Sequence, residues 1–307
     1  VTENGVLPET VVAAEKRKLT NKINALKDNK LLYANQRLID HMYENEPFSL
    51  HKDGYISDLD TIDATNLYAY YETMLNNDQI DISGVGDFLN TEMGQLLSTH
   101  FARKKWNRVE EQSIPAPQLI EQREQRIVTE HEAIQQAKLH IGYRTNCTIA
   151  DATYGALQVF NGIFGGYPSS RLFINVREKN SLAYYIASRI ESHQGLLIVY
   201  SGIEAADVEK TIAIINEQYE AICAGDFTES ELQETKQLII SNLYETLDQP
   251  TNTVELFYQY NLANKSLTIK EMIAQIEQVT KEAVCDIANN IQLDTIYLLA
   301  NEEGGAS

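Results

Sequence analysis

A guanidinium, Arg177, and a phenol, Tyr184, are side chains suited to hold a carbonyl oxygen, because both donate hydrogen bonds. They follow the run Gly165-Gly166-Tyr167-Pro168-Ser169-Ser170-Arg171-Leu172-Phe173, in which two glycines and a proline suit a tight loop. Ser169 or Ser170 is placed to cap a helix carrying Leu172, Phe173 and Val176 on its apolar side. That helix ends near Asn180, and 182–190 reads as a strand rich in Tyr, Ile and Ala. Arg177 at the helix end and Tyr184 on the strand can therefore converge on one solvent-facing cleft. The same spacing also fits a glycine turn between core elements, with a surface Arg and a half-buried Tyr. Both readings stand on these residues.

Other chemistries find less to work with. The six histidines are His41, His51, His100, His131, His140 and His193, and none stands four residues from another, so no helix presents a pair to a metal. The Glu130-His131-Glu132 run reads as solvated. Ser169 and Ser170 lack a Gly-x-Ser-x-Gly elbow, and the glycine run lacks the Gly-Lys-Ser/Thr ending of a phosphate loop. Asp58, Asp60 and Asp63 lack the Gly and terminal Glu of a calcium loop. The three cysteines, Cys147, Cys223 and Cys285, are far apart and form no CxxC, which indicates neither a disulfide framework nor a zinc cluster. Reduced thiols in a cytoplasmic setting are the expectation.

A formal net charge of −19 argues against a nucleic-acid partner, whose phosphates need a basic footprint. No apolar run approaches the roughly 20 residues of a membrane span. The first residues carry no cationic head followed by an apolar stretch, so they do not read as a signal peptide. With no Met at its start and a helix opening at Pro8, the chain reads as truncated or processed.

The elements that must position these residues follow from periodicity. Helices are expected at 8–29, at 32–44 with Leu38, Ile39 and Met42 on one side, and at 64–76 capped by Asp63. Ile80 and Ile82 alternate with polar residues in a strand over 79–84, and Asn90 caps a helix with Met93, Leu96, Leu97 and Phe101 inward. Arg103, Lys104 and Lys105 close that helix, where cations suit the dipole. Segment 109–124, acidic and broken by Pro115 and Pro117, reads as a linker. The expected division is 1–112, a linker over 113–126, and a complete second domain over 127–307. In that second part Ala137–Arg144, 182–190, 196–201 and 295–300 read as strands of one mostly antiparallel sheet with helices on one face. Thr228-x-x-Glu231 and Thr268-x-x-Glu271 are capping boxes. Strands and helices grouped in this way give an α+β class.

The run from Gly165 to Tyr184 resembles the hallmark of the C-terminal half of M16 (pitrilysin/insulinase-like) zinc peptidases, and the likeness continues through most of the chain. The resemblance implies two related α+β halves of the LuxS/metalloenzyme-like fold joined by a linker, the first half here beginning partway through. It implies a substrate-binding role for Arg177, Tyr184, Gly165, Gly166, Ser169 and Ser170. M16 peptidases hold zinc with an inverted His-x-x-Glu-His helix, which this sequence lacks, and with a Glu seven residues after another Glu on a later helix. Glu15 matches the upstream Glu, but Lys22 stands where the ligand belongs. An ammonium has no lone pair to give. The expectation is therefore no catalytic residue, no metal ligand and no cofactor in this chain, zinc being the cofactor of active members. Three readings follow. The preferred one is a bacterial non-catalytic subunit that binds extended or unfolded peptide and pairs with an active M16 homologue as a heterodimer, or forms a homo-oligomer. The others are an active zinc metalloendopeptidase whose zinc helix lies upstream of Val1, and a peptide-binding or scaffold module without a proteolytic partner.

Overall fold

The computed structural model describes residues 7–87, 90–101 and 124–301. In chain order the first helices are α1 (Glu9–Asp28), α2 (Lys30–Met42), α3 (Ile56–Leu59), α4 (Ala64–Asn77) and α5 (Asn90–Phe101). Strands β1 (Arg126–His131) and β2 (Ala137–Arg144) come next, then α6 (Tyr154–Asn161), β3 (Ala183–Glu191) and β4 (Leu196–Ile203). The chain closes with α7 (Val208–Cys223), α8 (Glu229–Leu247), α9 (Pro250–Leu262), α10 (Ile269–Glu277), α11 (Lys281–Asn290) and β5 (Gln292–Ala300). The fold is α+β, and its described residues fall into two compact units. One lies within Val1–Asp28 and His51–Ala116, the other within Asn29–Leu50 and Pro117–Ser307.

The first unit holds α1, α3, α4 and α5. Asp63 caps α4 through a reciprocal box with Asn66, as its position ahead of the apolar run suggests. The buried apolar side chains among its described residues are Val12, Leu59 and Ala64. Two expectations fail here. Segment 79–84 is irregular, with Ile80 and Ile82 exposed, because period-two alternation makes a strand only when a neighbouring backbone takes up its hydrogen bonds. On α5, Leu96 and Phe101 face outward rather than inward. Arg103, Lys104, Lys105, linker residues 109–123 with Pro115 and Pro117, and the tail 302–307 lie outside the described residues.

The second unit is built on a five-stranded sheet in the order β1-β5-β2-β4-β3. β2, β3, β4 and β5 pair antiparallel, whereas β1, which alternation did not reveal, pairs parallel with β5. Both faces are covered, not one as the alternation suggested. On one side Leu139, Ile141, Val199 and Ile296 pack with Leu157, Phe160, Ile215 and Val284 of α6, α7 and α11. On the other side Leu196, Ile198, Tyr297 and Leu299 pack with Ala34, Leu38 and Met42 of α2. This is why β4 is buried almost end to end. A Cβ on Gly142 would lie 2.1 Å from Met42 Sδ, so the bare backbone of this glycine is what the Met42 side chain of α2 packs on.

Charge pairs hold α2 in place. Glu130 on β1 accepts from Arg37 Nε at 3.0 Å, from Arg37 Nη2 at 2.6 Å and from the Tyr297 hydroxyl at 2.9 Å. Burial pushes the Glu130 carboxyl up, but the hydrogen bonds from Arg37 and Tyr297 outweigh it and hold it at about 2. Glu132 pairs with Lys30. Of the run expected to be solvated, His131 is exposed, whereas Glu130 and Glu132 are half-buried and anchor α2. The half-buried Arg144 adds a bond to Asp294 at 3.0 Å and another to the Met42 carbonyl at 2.6 Å. Both expected capping boxes, Thr228 with Glu231 and Thr268 with Glu271, are present.

Candidate peptide-binding site

Residues 162–166 do not form an open loop. They continue α6 as a π-helical turn, Gly162–Gly166, which packs on β3. A Cβ on Gly165 would meet Ser188 Oγ at 2.6 Å and Ser188 N at 2.9 Å. At Gly166 it would meet Asn161 Nδ2 at 2.8 Å. The two glycines are therefore spacers that let the turn lie against the strand, where Ser188 Oγ donates to Asn161 Oδ1 at 2.7 Å. Gly165 is buried and Gly166 half-buried.

A second π-helical turn, Phe173–Glu178, follows. π-turns of this sort concentrate at functional positions. No serine caps this turn. Ser169 is exposed, while Ser170 is buried with its hydroxyl unpartnered among the described residues. The turn is anchored from below. Arg171 pairs with Glu231 at 2.9 Å, and Asn175 Nδ2 donates to the Arg171 carbonyl at 2.9 Å and to Gln218 at 3.0 Å.

The turn runs directly into β3. Ser181 N–H donates to the Arg177 carbonyl at 3.0 Å, and Leu182 N–H donates to that of Val176 at 3.0 Å. Ser181 sits at φ 52°, a left-handed conformation that a serine adopts only when its surroundings hold it there. Arg177 and Tyr184 flank this junction, and both are exposed. Each is engaged by its own neighbours. The Arg177 guanidinium lies 4.7 Å from the centre of the Phe173 ring and 3.9 Å from Glu178 Oε1. The Tyr184 hydroxyl donates to Glu204 Oε1 at 2.8 Å. That bond, together with the Glu204 charge, pushes the phenol's pKa up.

A phenol has one proton, and here Glu204 holds it. Tyr184 therefore offers its oxygen as an acceptor, suited to a backbone N–H, while Arg177 remains the donor suited to a carbonyl. Spacing did not reveal Glu204. It lies just past β4, and the only signal that could have found it is the hairpin register, which pairs Ala183 with Ile203.

The metal reading can be tested on α1. Lys22 Nζ pairs with Asp53 at 2.6 Å, and Glu15 pairs with Lys18 at 2.5 Å. Two carboxylates occupied by ammonium groups, one of them that of Lys22 in the ligand position itself, do not fit zinc. Among the described residues no group of three or more His, Cys, Asp or Glu is placed to hold a metal ion. No helix among them is long and apolar enough to cross a membrane.

A family model described as the peptidase M16 inactive domain matches residues 61–239. The probable inactive metalloprotease YmfF of Bacillus subtilis is 42% identical over 304 residues, covering 99% of this chain and 71% of that protein. The uncharacterized zinc protease YmxG of the same organism is 27% identical over 53% of this chain and 41% of its own length. Among solved structures, a conserved protein from Enterococcus faecalis superposes with a TM-score of 0.89 at 31% identity, covering 99% of this chain and 71% of that one. The peptidase M16 inactive domain from Pseudomonas fluorescens shares the fold, with a TM-score of 0.75 at 17% identity over 98% of this chain and 73% of its own.

Proposed function

This chain belongs to the M16 peptidase family, as an inactive peptidase-like member, and on that premise we propose that it is a non-catalytic subunit that holds extended peptide for a zinc-bearing M16 partner. The observation that carries the reading is a contrast between two positions. Where the family resemblance calls for a metal ligand, Lys22 is bound to Asp53. Where it calls for substrate contacts, Arg177 and Tyr184 stay exposed on an anchored turn-to-strand junction. A peptide running past that junction would give a carbonyl to Arg177 and an N–H to Tyr184. A reducing, cytoplasmic location accords with the three free thiols.

The test is co-expression of this chain with a zinc-bearing M16 relative, followed by co-purification and a peptide-cleavage assay. The expected result is a stable complex whose cleavage falls when Arg177→Ala and Tyr184→Phe are combined. Normal cleavage by that variant complex would remove the peptide-binding role. One observation favours a second reading, a scaffold module: both donors already have partners inside the chain. A complex that forms normally but is indifferent to the double substitution is what that reading expects.

A further inference from the structure

The sheet face that carries α2 also carries a group of polar side chains unrelated to the Arg177–Tyr184 junction. On β2 stand Lys138 and His140, on β3 Tyr185 and Arg189, on β4 Tyr200 and Gly202. The register places them side by side, His140 opposite Tyr200, with Lys138 and Tyr185 both opposite Gly202. His140 forms the floor. It is 0% exposed, and neither ring nitrogen has a hydrogen-bond partner among the described residues. Burial, with Arg189 and Lys138 nearby, lowers its pKa to about 3, so the ring is neutral and one nitrogen carries a proton with no acceptor.

The Tyr185 hydroxyl is likewise buried and unpartnered. The half-buried Lys138 ammonium reaches the amide oxygen of Gln136 at 2.5 Å and lies 5.4 Å from the Tyr185 ring centre, and among the described residues no carboxylate pairs with it. The Tyr200 ring links the group, 6.2 Å from His140 and 6.5 Å from Tyr185. Gly202 leaves room for it, because a Cβ there would lie 2.5 Å from both Gln136 Oε1 and Tyr185 Cε1. At the rim, Arg189 bonds Asn35 at 2.9 Å and Glu191 at 3.1 Å.

Buried donors without acceptors cost free energy, and a half-buried cation without a counter-charge costs more. In a chain of net charge −19, a cluster that gathers an ammonium, a phenol and an imidazole N–H with no carboxylate on Lys138 has the chemistry of an anion receptor. We propose that this face binds a small oxyanion, a carboxylate or a phosphate, with Lys138 as counter-charge and Tyr185 and His140 as hydrogen-bond donors. The proposal does not rest on the peptide-binding reading.

The test is calorimetric titration of the full chain with inorganic phosphate, with acetate, and with one short peptide as free acid and as C-terminal amide. Saturable binding of phosphate or of the free acid is expected. Lys138→Met should weaken it by about tenfold or more and Tyr185→Phe by about threefold, the scale of losing a charged and a neutral hydrogen bond. Phosphate against free-acid peptide identifies the source of the anion. Circular dichroism of each variant checks the fold, and the His140 ring ¹⁵N signals, which should move on saturation, give a readout that needs no variant. The Arg177→Ala, Tyr184→Phe chain should bind the anion as the parent does. Absence of saturable binding, binding unchanged by a folded Lys138→Met chain, or His140 signals that do not move would each overturn the proposal.

Discussion

The Tyr184 hydroxyl donates to Glu204 Oε1 at 2.8 Å, which turns a presumed donor into an acceptor. Removing the carboxylate should return the proton to use. Glu204→Ala is therefore expected to change which backbone group the phenol prefers, and Tyr184→Phe to weaken peptide binding several-fold. Fluorescence anisotropy with a labelled extended peptide measures both. Equal binding by parent, Glu204→Ala and Tyr184→Phe chains would separate this pair from any ligand.

Gly165 leaves no space for a methyl group, since Ser188 N and Oγ lie within 2.9 Å of where its Cβ would stand. The nearest atoms include backbone of a paired strand, which cannot yield as a flexible side chain does. Gly165→Ala should destabilise the second unit by about 1–3 kcal/mol, the cost of overpacking a filled site. Urea unfolding gives the number, and a loss below about 0.5 kcal/mol would mean that the turn shifts freely.

Glu130 is the acid-sensitive anchor of α2. Its carboxyl is held at about 2, against about 4.3 for an unfolded Glu. Because the folded value is depressed, its contribution is complete above about pH 4.3 and fades as pH falls toward 2. Glu130→Gln should cost about 1 kcal/mol near neutrality, a figure reduced for solvent screening of a partly exposed pair. The gap between variant and parent should then close as pH falls through that window. A gap that is constant from pH 7 to 2.5 would contradict the assignment.

Restoring a carboxylate at position 22 is not expected to restore metal. Glu15 is occupied by Lys18, and none of the six histidines stands four residues from another. Lys22→Glu also sets a like charge against Asp53, now its ion-pair partner. Metal analysis after dialysis should find no stoichiometric zinc in parent or variant. One zinc per chain in the variant would show that a ligand set exists.

Much of the local structure was legible in the sequence. The capping boxes at Thr228 and Thr268, the cap at Asp63 and the four antiparallel strands depend on groups within a few residues or on strict alternation. The run from Gly165 to Tyr184 and the Lys22 substitution were visible as residue types at fixed spacing. The remainder depended on contacts between residues far apart in the chain. The docking of α2 needs Glu130, Tyr297 and the bare backbone of Gly142, supplied by three different strands. Segment 79–84 alternates correctly and still forms no strand, whereas Arg126–His131 becomes one because β5 offers it a free edge. Tyr184 commits its hydroxyl hydrogen bond to Glu204, a carboxylate just past the end of the neighbouring strand. Local hydrogen bonding and side-chain periodicity are properties of a short stretch of chain, so the sequence alone determined them. Partner choice and burial depend on which distant backbone arrives alongside, and only the tertiary structure decided those.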